Sequence, residues 1–256
     1  MNTACKHGLL LCALLLATAA GIAGAAEPRS GYEFIKPATR EMQDDDFLNP
    51  GMLTVEKGRQ LFNAKPDGTG RSCAECHGDE GERLDRGNIA RYPVYRDGGL
   101  RTLQQQIGLC RSRTTGSTLP AGHPDLIALE TFVRNLARGL PVNVRTDGPM
   151  RALVEQGERL YRTRYGLIDI SCHHCHDLYP GQMIRGQKIS EGRGNGFPAY
   201  RLDIGEITTL HQRIQQCLTQ MRAEPFASGS EELDLMGLYI MSRSNGLGIE
   251  TPAVRY

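Results

Sequence analysis

Cys73-Ala74-Glu75-Cys76-His77 and Cys172-His173-His174-Cys175-His176 stand 99 residues apart, and their reading decides the rest. C-x-x-C-H is the attachment signal of a c-type haem. Its spacing brings two sulfurs to one edge for thioether bonds to the two porphyrin vinyl groups, and the next residue places an imidazole beneath the iron. A lone copy would compete with a redox dithiol or half a zinc site. Two copies at matching places, with no paired Cys and His left over to complete four zinc ligands at each, point to two covalently bound haems. His77 and His176 are the expected proximal ligands, with His173 and His174 as spacers.

The match extends outward from these motifs. Val55, Gly58, Leu61 and Phe62 recur as Val154, Gly157, Leu160 and Tyr161 at the same offset of 99. Tyr92-Pro93-Val94-Tyr95-Arg96 returns as Phe197-Pro198-Ala199-Tyr200-Arg201 at an offset of 105. Leu103, Ile107, Cys110 and Phe132 return as Leu210, Ile214, Cys217 and Tyr239 at 107. A register held this long indicates internal duplication. Each half reads as an amphipathic helix (54–64 and 152–163), a haem-bearing loop, a second helix (99–111 and 206–222) and a closing helix (124–138 and 230–243). No long alternating run argues for a sheet. The expected fold is mainly α: two tandem cytochrome c-like domains, 51–146 and 147–256, joined by a linker at 141–149. Residues 26–50 read as an N-terminal arm.

Composition agrees with a folded, cofactor-bearing chain. Of 256 residues, 39% are hydrophobic and 23% charged, which disfavours disorder, and the absence of Trp with only 6% aromatics leaves room for a cofactor in the interior. The formal charge of +1 lacks the basic excess of a nucleic-acid binder. Residues 1–25 read as a cleavable signal peptide: Lys6, an apolar run over 9–20, then Ala23-Gly24-Ala25. No later run has the length of a membrane span, so the mature chain is expected in the periplasm without a membrane anchor. Cleavage removes Cys5 and Cys12. Six cysteines remain, for which three disulfides are the default in an exported chain, and the CxxCH spacing contradicts that default.

The sixth iron ligand bears on function. Between Cys76 and Gly148 there is no methionine, and His123 is the only histidine after His77. The second half offers Met183, Met221, Met236, Met241 and His211. Cys110 and Cys217 are shared at equivalent positions, so thiolate ligation of both irons is expected, against a Cys110–Cys217 disulfide or two buried thiols. A thiolate stabilises ferric iron and sets a sulfur nucleophile beside an electron acceptor, which points to sulfur chemistry.

At this point the sequence resembles the SoxA family, dihaem subunits of the SoxAX cytochromes of bacterial thiosulfate oxidation. The resemblance covers residues 45–256. It rests on both CxxCH motifs, Cys110 and Cys217, Gly196-Phe197-Pro198-Ala199-Tyr200-Arg201, Arg213-Ile214-Gln215-Gln216-Cys217 and Met221-Arg222-Ala223-Glu224-Pro225. It implies that Cys73 and Cys76 hold one haem with His77 and Cys110 axial. Cys172 and Cys175 would hold the other, with His176 and Cys217 axial. Cys217 would carry a catalytic persulfide and Arg213 would contact substrate. The implied activity is an L-cysteine S-thiosulfotransferase, which joins thiosulfate oxidatively to a cysteine of the SoxYZ carrier and passes two electrons to cytochrome c. The monohaem SoxX is the implied heterodimer partner. Arg213 lies one helical turn before Cys217, where a guanidinium suits a dianion, whereas the first half has Gln106 there. Arg243 is a second candidate for anion binding, and Arg201 for a haem propionate. Competing readings are a thiosulfate dehydrogenase forming tetrathionate and a non-catalytic electron-transfer cytochrome.

Overall fold

Close helix crossings frame both halves. The computed structural model describes residues 27–65 and 70–256; the signal-peptide reading, with Cys5 and Cys12, lies outside them. In the first half α2 (Met52–Asn63) crosses α6 (Pro124–Asn135), and in the second α7 (Met150–Arg162) crosses α10 (Glu231–Ser242). Gly58 makes the first crossing possible, because a Cβ there would stand 2.1 Å from the Ala128 carbonyl oxygen. Gly157 does the same in the second, 2.1 Å from the Leu235 oxygen. One turn further on, an aromatic pair seals each crossing. Phe62 and Phe132 have ring centroids 5.2 Å apart, and Tyr161 and Tyr239 are 5.1 Å apart.

Between the crossed helices each half carries its haem-motif turn, α3 (Ala74–His77) or α8 (Cys172–His176), and then α5 (Leu103–Thr115) or α9 (Leu210–Gln220). In the first half α4 (Arg86–Ile89) lies between the two. Identical capping boxes start α5 and α9. The Thr102 and Thr209 side chains accept from Gln105 N and Gln212 N, and both Gln side chains reciprocate. These caps place the helix starts four residues later than the apolar spacing alone suggests.

The missing residues form strands, which corrects the expectation of no sheet. β1 (Val94–Arg96) pairs with β2 (Gly99–Arg101), and β5 (Ala199–Arg201) pairs with β6 (Glu206–Thr208), both antiparallel. β3 (Met183–Ile184) and β4 (Gln187–Lys188) form a small hairpin, and β7 (Ala253–Arg255) adds to β5 in parallel, giving the order β6-β5-β7. Strands of two or three residues are too short to show alternation. Asp97 (φ 52) and Gly98 (φ 84) carry the left-handed backbone of the first hairpin turn.

The first part of 141–149 is tied into the core, and residues 145–149 are exposed. Val142 and Val144 are 1% and 3% exposed. Val142 N donates to Leu247 O and Ile249 N to Leu140 O, both at 2.9 Å, while Asn245 bonds both backbone groups of Val144. The larger core consequently runs across the halves, joining Phe62, Leu129 and Phe132 to Leu238, Met241 and Ile249. The N-terminal arm adheres to the second half: from α1 (Pro37–Asp44), Gln43 Oε1 accepts from Val254 N at 3.0 Å, and Asn49 Nδ2 donates to Pro252 O at 2.9 Å. Among the described residues no helix is long and apolar enough to cross a membrane.

Gly58→Ala and Gly157→Ala should each cost about 1–3 kcal/mol or more by overpacking. Gly99→Ala, which meets nothing within 4 Å, should change stability by less than about 0.5 kcal/mol. Denaturant unfolding of the haem-loaded protein checks this; equal effects at all three positions would dissociate the crossings from stability.

Candidate functional site

Ser171 caps α8, so Cys172, Cys175 and His176 follow on one short helical turn, where positions three and four apart share a face. The second axial candidate arrives from α9, which brings Cys217 beside both cysteines of the turn. Burial, reinforced by the nearby Cys217 sulfur, pushes the Cys172 thiol up to about 12 and raises Cys175 as well. In the first half Cys110 reaches Cys73 in the same way: burial raises that thiol, Arg111 opposes and the Cys110 sulfur adds to the rise. The six described cysteines are all free thiols, so the three-disulfide default does not hold, and neither does a Cys110–Cys217 bridge.

His176 is oriented by two neighbours that sequence reading did not single out. Its Nδ1–H donates to the Ser190 carbonyl at 2.8 Å, which leaves Nε2 free for a metal. Gly192, at φ +64, lies so close that a Cβ would stand 2.8 Å from the ring. Burial lowers the His176 pKa and favours the neutral imidazole that ligation requires. Of the other candidate ligands, His211 packs against Gly237 with Nε2 3.8 Å from Asp234, and Met183 is exposed at the β3–β4 hairpin.

The cation positions differ between the halves. Among the described residues Arg213 makes only a long 3.5 Å hydrogen bond to Gln216 Oε1, and its charge acts on His176 and on Arg201. At the equivalent place Gln106 Nε2 donates to Cys110 Sγ at 3.1 Å. Arg243 is held in a network: its Nη2 lies 2.6 Å from Asp177 Oδ1, and its guanidinium stacks 4.8 Å from the Tyr161 ring centroid. Tyr161 Oη donates to the same carboxylate at 2.9 Å, and His173 occupies its other oxygen at 2.7 Å. The sequence signal was the change from Phe62 to Tyr161, a hydroxyl added at an otherwise equivalent core position.

The donor set fits haem. Each half joins two thiols, an imidazole and a third sulfur. Among the described residues, buried guanidinium N–H groups without hydrogen-bond partners occur in both halves, Arg101 Nη1 and Arg111 Nε in the first and Arg243 Nη1 in the second, while Arg201 Nε lies 3.3 Å from Asp203 Oδ1. Such donors are costly unless an anion meets them, and a haem brings two carboxylates.

Comparison with known proteins gives the same direction. The family description "SoxA/TsdA, cytochrome c domain" matches residues 57–142 and 156–249. The L-cysteine S-thiosulfotransferase subunit SoxA of Rhodovulum sulfidophilum is 40% identical over 235 residues, spanning 90% of this chain and 80% of that one. The same subunit of Pseudaminobacter salicylatoxidans is 36% identical, covering 90% and 81%. The crystal structure of SoxXA from P. pantotrophus superposes with a TM-score of 0.83 at 34% identity, covering 90% of this chain and 87% of that one.

Asp177→Ala should destabilise the protein by about 3–5 kcal/mol, because it strands the Arg243 guanidinium. Adding Arg243→Met should recover part of that loss in urea unfolding. Strict additivity of the two substitutions would show that the pair is not coupled.

Proposed function

Because the chain belongs to the SoxA/TsdA cytochrome c domain family, we propose that it is the dihaem subunit of a periplasmic L-cysteine S-thiosulfotransferase. The observation that carries this reading is Arg213, one turn from Cys217, set against Gln106 at the equivalent place beside Cys110. The names of the SoxA relatives favour it over tetrathionate formation, and the duplicated third sulfur favours it over a simple electron carrier.

In this reading residues 1–25 direct export, and residues 51–146 and 147–256 form the two haem domains. Cys73 and Cys76 would attach one haem, with His77 and Cys110 as the residues to hold its iron. Cys172 and Cys175 would attach the other, with His176 and Cys217 as the residues to hold its iron. When bound, the second haem supplies the electron sink for sulfur oxidation at Cys217. Arg213, and Arg243 through its unpaired Nη1, bind the thiosulfate dianion and hold its outer sulfur against the persulfide sulfur of Cys217. The Ser190 carbonyl keeps His176 in one tautomer throughout. Overall, a carrier thiol of SoxYZ loses its proton and an S–S bond forms between its sulfur and the outer sulfur of thiosulfate. Two electrons leave one at a time, to two equivalents of accepting ferricytochrome c. A SoxX-type monohaem subunit provides the outlet, in keeping with the SoxXA complex that this chain resembles.

Mass spectrometry of the mature protein should count two covalent haems and an extra sulfur on Cys217. Electron paramagnetic resonance should show His/thiolate ligation at both irons; spectra of only His/Met or bis-His haem would overturn the ligand set.

Cys217→Ala should abolish carrier-dependent thiosulfate oxidation. Arg213→Ala should keep the haem spectrum and lose about 1.5–3 kcal/mol of transition-state binding, a rate loss of roughly 10–150-fold. Cys110→Ala should alter the spectrum of the first haem and slow turnover less than Cys217→Ala does. Cytochrome c reduction is the readout. Full activity in Arg213→Ala with loss in Gln106→Ala would move the active site to the first half.

A further inference from the structure

One helical turn before the third sulfur of each half, the two repeats carry different side chains. Gln106 is equivalent to Arg213, as Cys110 is to Cys217. Gln106 Nε2 donates to Cys110 Sγ at 3.1 Å. Among the described residues the Arg213 side chain bonds Gln216 Oε1 instead, and no hydrogen-bond donor reaches Cys217 Sγ. The first sulfur is thus held by an amide, and the second is not.

Local structure gives the Gln106 amide this one partner. The Thr102 capping box fixes the start of α5, and Gln106 N donates to Thr102 O at 3.0 Å. Residues 106 and 110 therefore share a helix face in a fixed register. The Gln106 carboxamide oxygen is buried and has no hydrogen-bond partner among the described residues, so the sulfur alone orients the group. That sulfur faces the haem-motif turn, where it adds to the rise of the Cys73 thiol. A thiolate bound to iron carries no proton and can only accept, so the amide must meet it with N–H rather than with oxygen.

A hydrogen bond to a metal-bound sulfur draws negative charge from it and so tunes the metal. The sulfur then stabilises ferric iron less, and the reduction potential rises. The same withdrawal lowers the basicity of the sulfur and with it its nucleophilicity. Both effects suit a sulfur that stays on its iron, whereas a sulfur that must react is better left without such a donor.

We propose that Gln106 is a positioning residue of the first haem: its N–H···S bond keeps the Cys110 sulfur on the iron and raises the reduction potential there. This rests on the ligand set of the proposed function, in which Cys110 holds the first iron. It adds a second difference between the halves, in the electron affinity of the iron as well as in anion binding.

The test uses the haem-loaded full chain, with the first haem identified by the spectral change in Cys110→Ala. Redox titrations are followed by electron paramagnetic resonance. Gln106→Leu, which keeps the bulk and removes the donor, should shift the ferric–ferrous equilibrium of the first haem roughly 3–10-fold toward ferric. At 59 mV per tenfold for one electron, its midpoint potential falls by about 30–60 mV. Gln106→Lys restores an N–H donor and should return the potential to the wild-type value or above it. In the resonance Raman spectrum of the unmodified protein the iron–sulfur stretch of the first haem should move in heavy water, and in Gln106→Leu it should not. That heavy-water shift decides the matter if Gln106→Leu fails to fold. An unchanged potential in Gln106→Leu, an equal fall in Gln106→Leu and Gln106→Lys, or no heavy-water shift in the unmodified protein overturns the proposal while leaving the ligand set intact. Absence of a thiolate signal from the first iron of the unmodified protein overturns both.

Discussion

In both halves two helices touch backbone to backbone, and that contact fixes the positions of the other elements. At Gly58 and Gly157 there is no space for even one carbon beyond the main chain. The crossing therefore sets the distance between the first and last helices of a half to within the thickness of a peptide. Phe62 with Phe132, and Tyr161 with Tyr239, then fix its rotation. The long intervening segment has few apolar residues of its own and is suspended from this frame. Its order comes from capped helix starts, three-residue strands and the chemistry of the CxxCH turns.

A shared frame allows local differences to be read as differences in chemistry. Tyr161 repeats Phe62 but adds a hydroxyl, and that hydroxyl meets Asp177, which in turn engages His173 and Arg243. An apolar aromatic pair thereby becomes the floor of an ionic network beside the second haem motif. His176 has the Ser190 carbonyl and the Gly192 backbone against it; among the described residues the first half shows no such hydrogen bond to the His77 ring. At the next helix the contrast is Gln106 against Arg213, a neutral donor to sulfur against a cation with no salt-bridge partner among the described residues. All three differences lie on the side of the second sulfur cluster.

What could be read from the sequence was local or repeated. CxxCH joins its ligands within five residues, and Gly58, Thr102 and Cys110 each have a counterpart that doubles the signal. The four framing helices followed from apolar spacing for the same reason. The strands did not, because two or three residues cannot display a period of two, although Asp97-Gly98 did carry a hairpin turn signal. The tied-down segment around Val142 and Val144 was hidden because its partners, Asn245 and Leu247, lie about 100 residues away. The role of Asp177 was also invisible, since the motif's own histidine and a distant arginine converge on it only in three dimensions. Residues 141–149 read as a linker, and long-range pairing made Val142 and Val144 part of the core.

The contact between Gln43 and the backbone of Val254, 211 residues apart, has a kinetic meaning. Closing so large a loop adds little to the equilibrium cost, since each doubling of length costs only about 0.6 kcal/mol. It does place the event late in folding, because contacts this remote in sequence are slow to form. The α1–β7 seam is therefore expected to close last. Both halves can assemble their crossed helices from nearer neighbours while the parallel edge of β5 still awaits β7, and docking of α1 beside β7 then completes the fold.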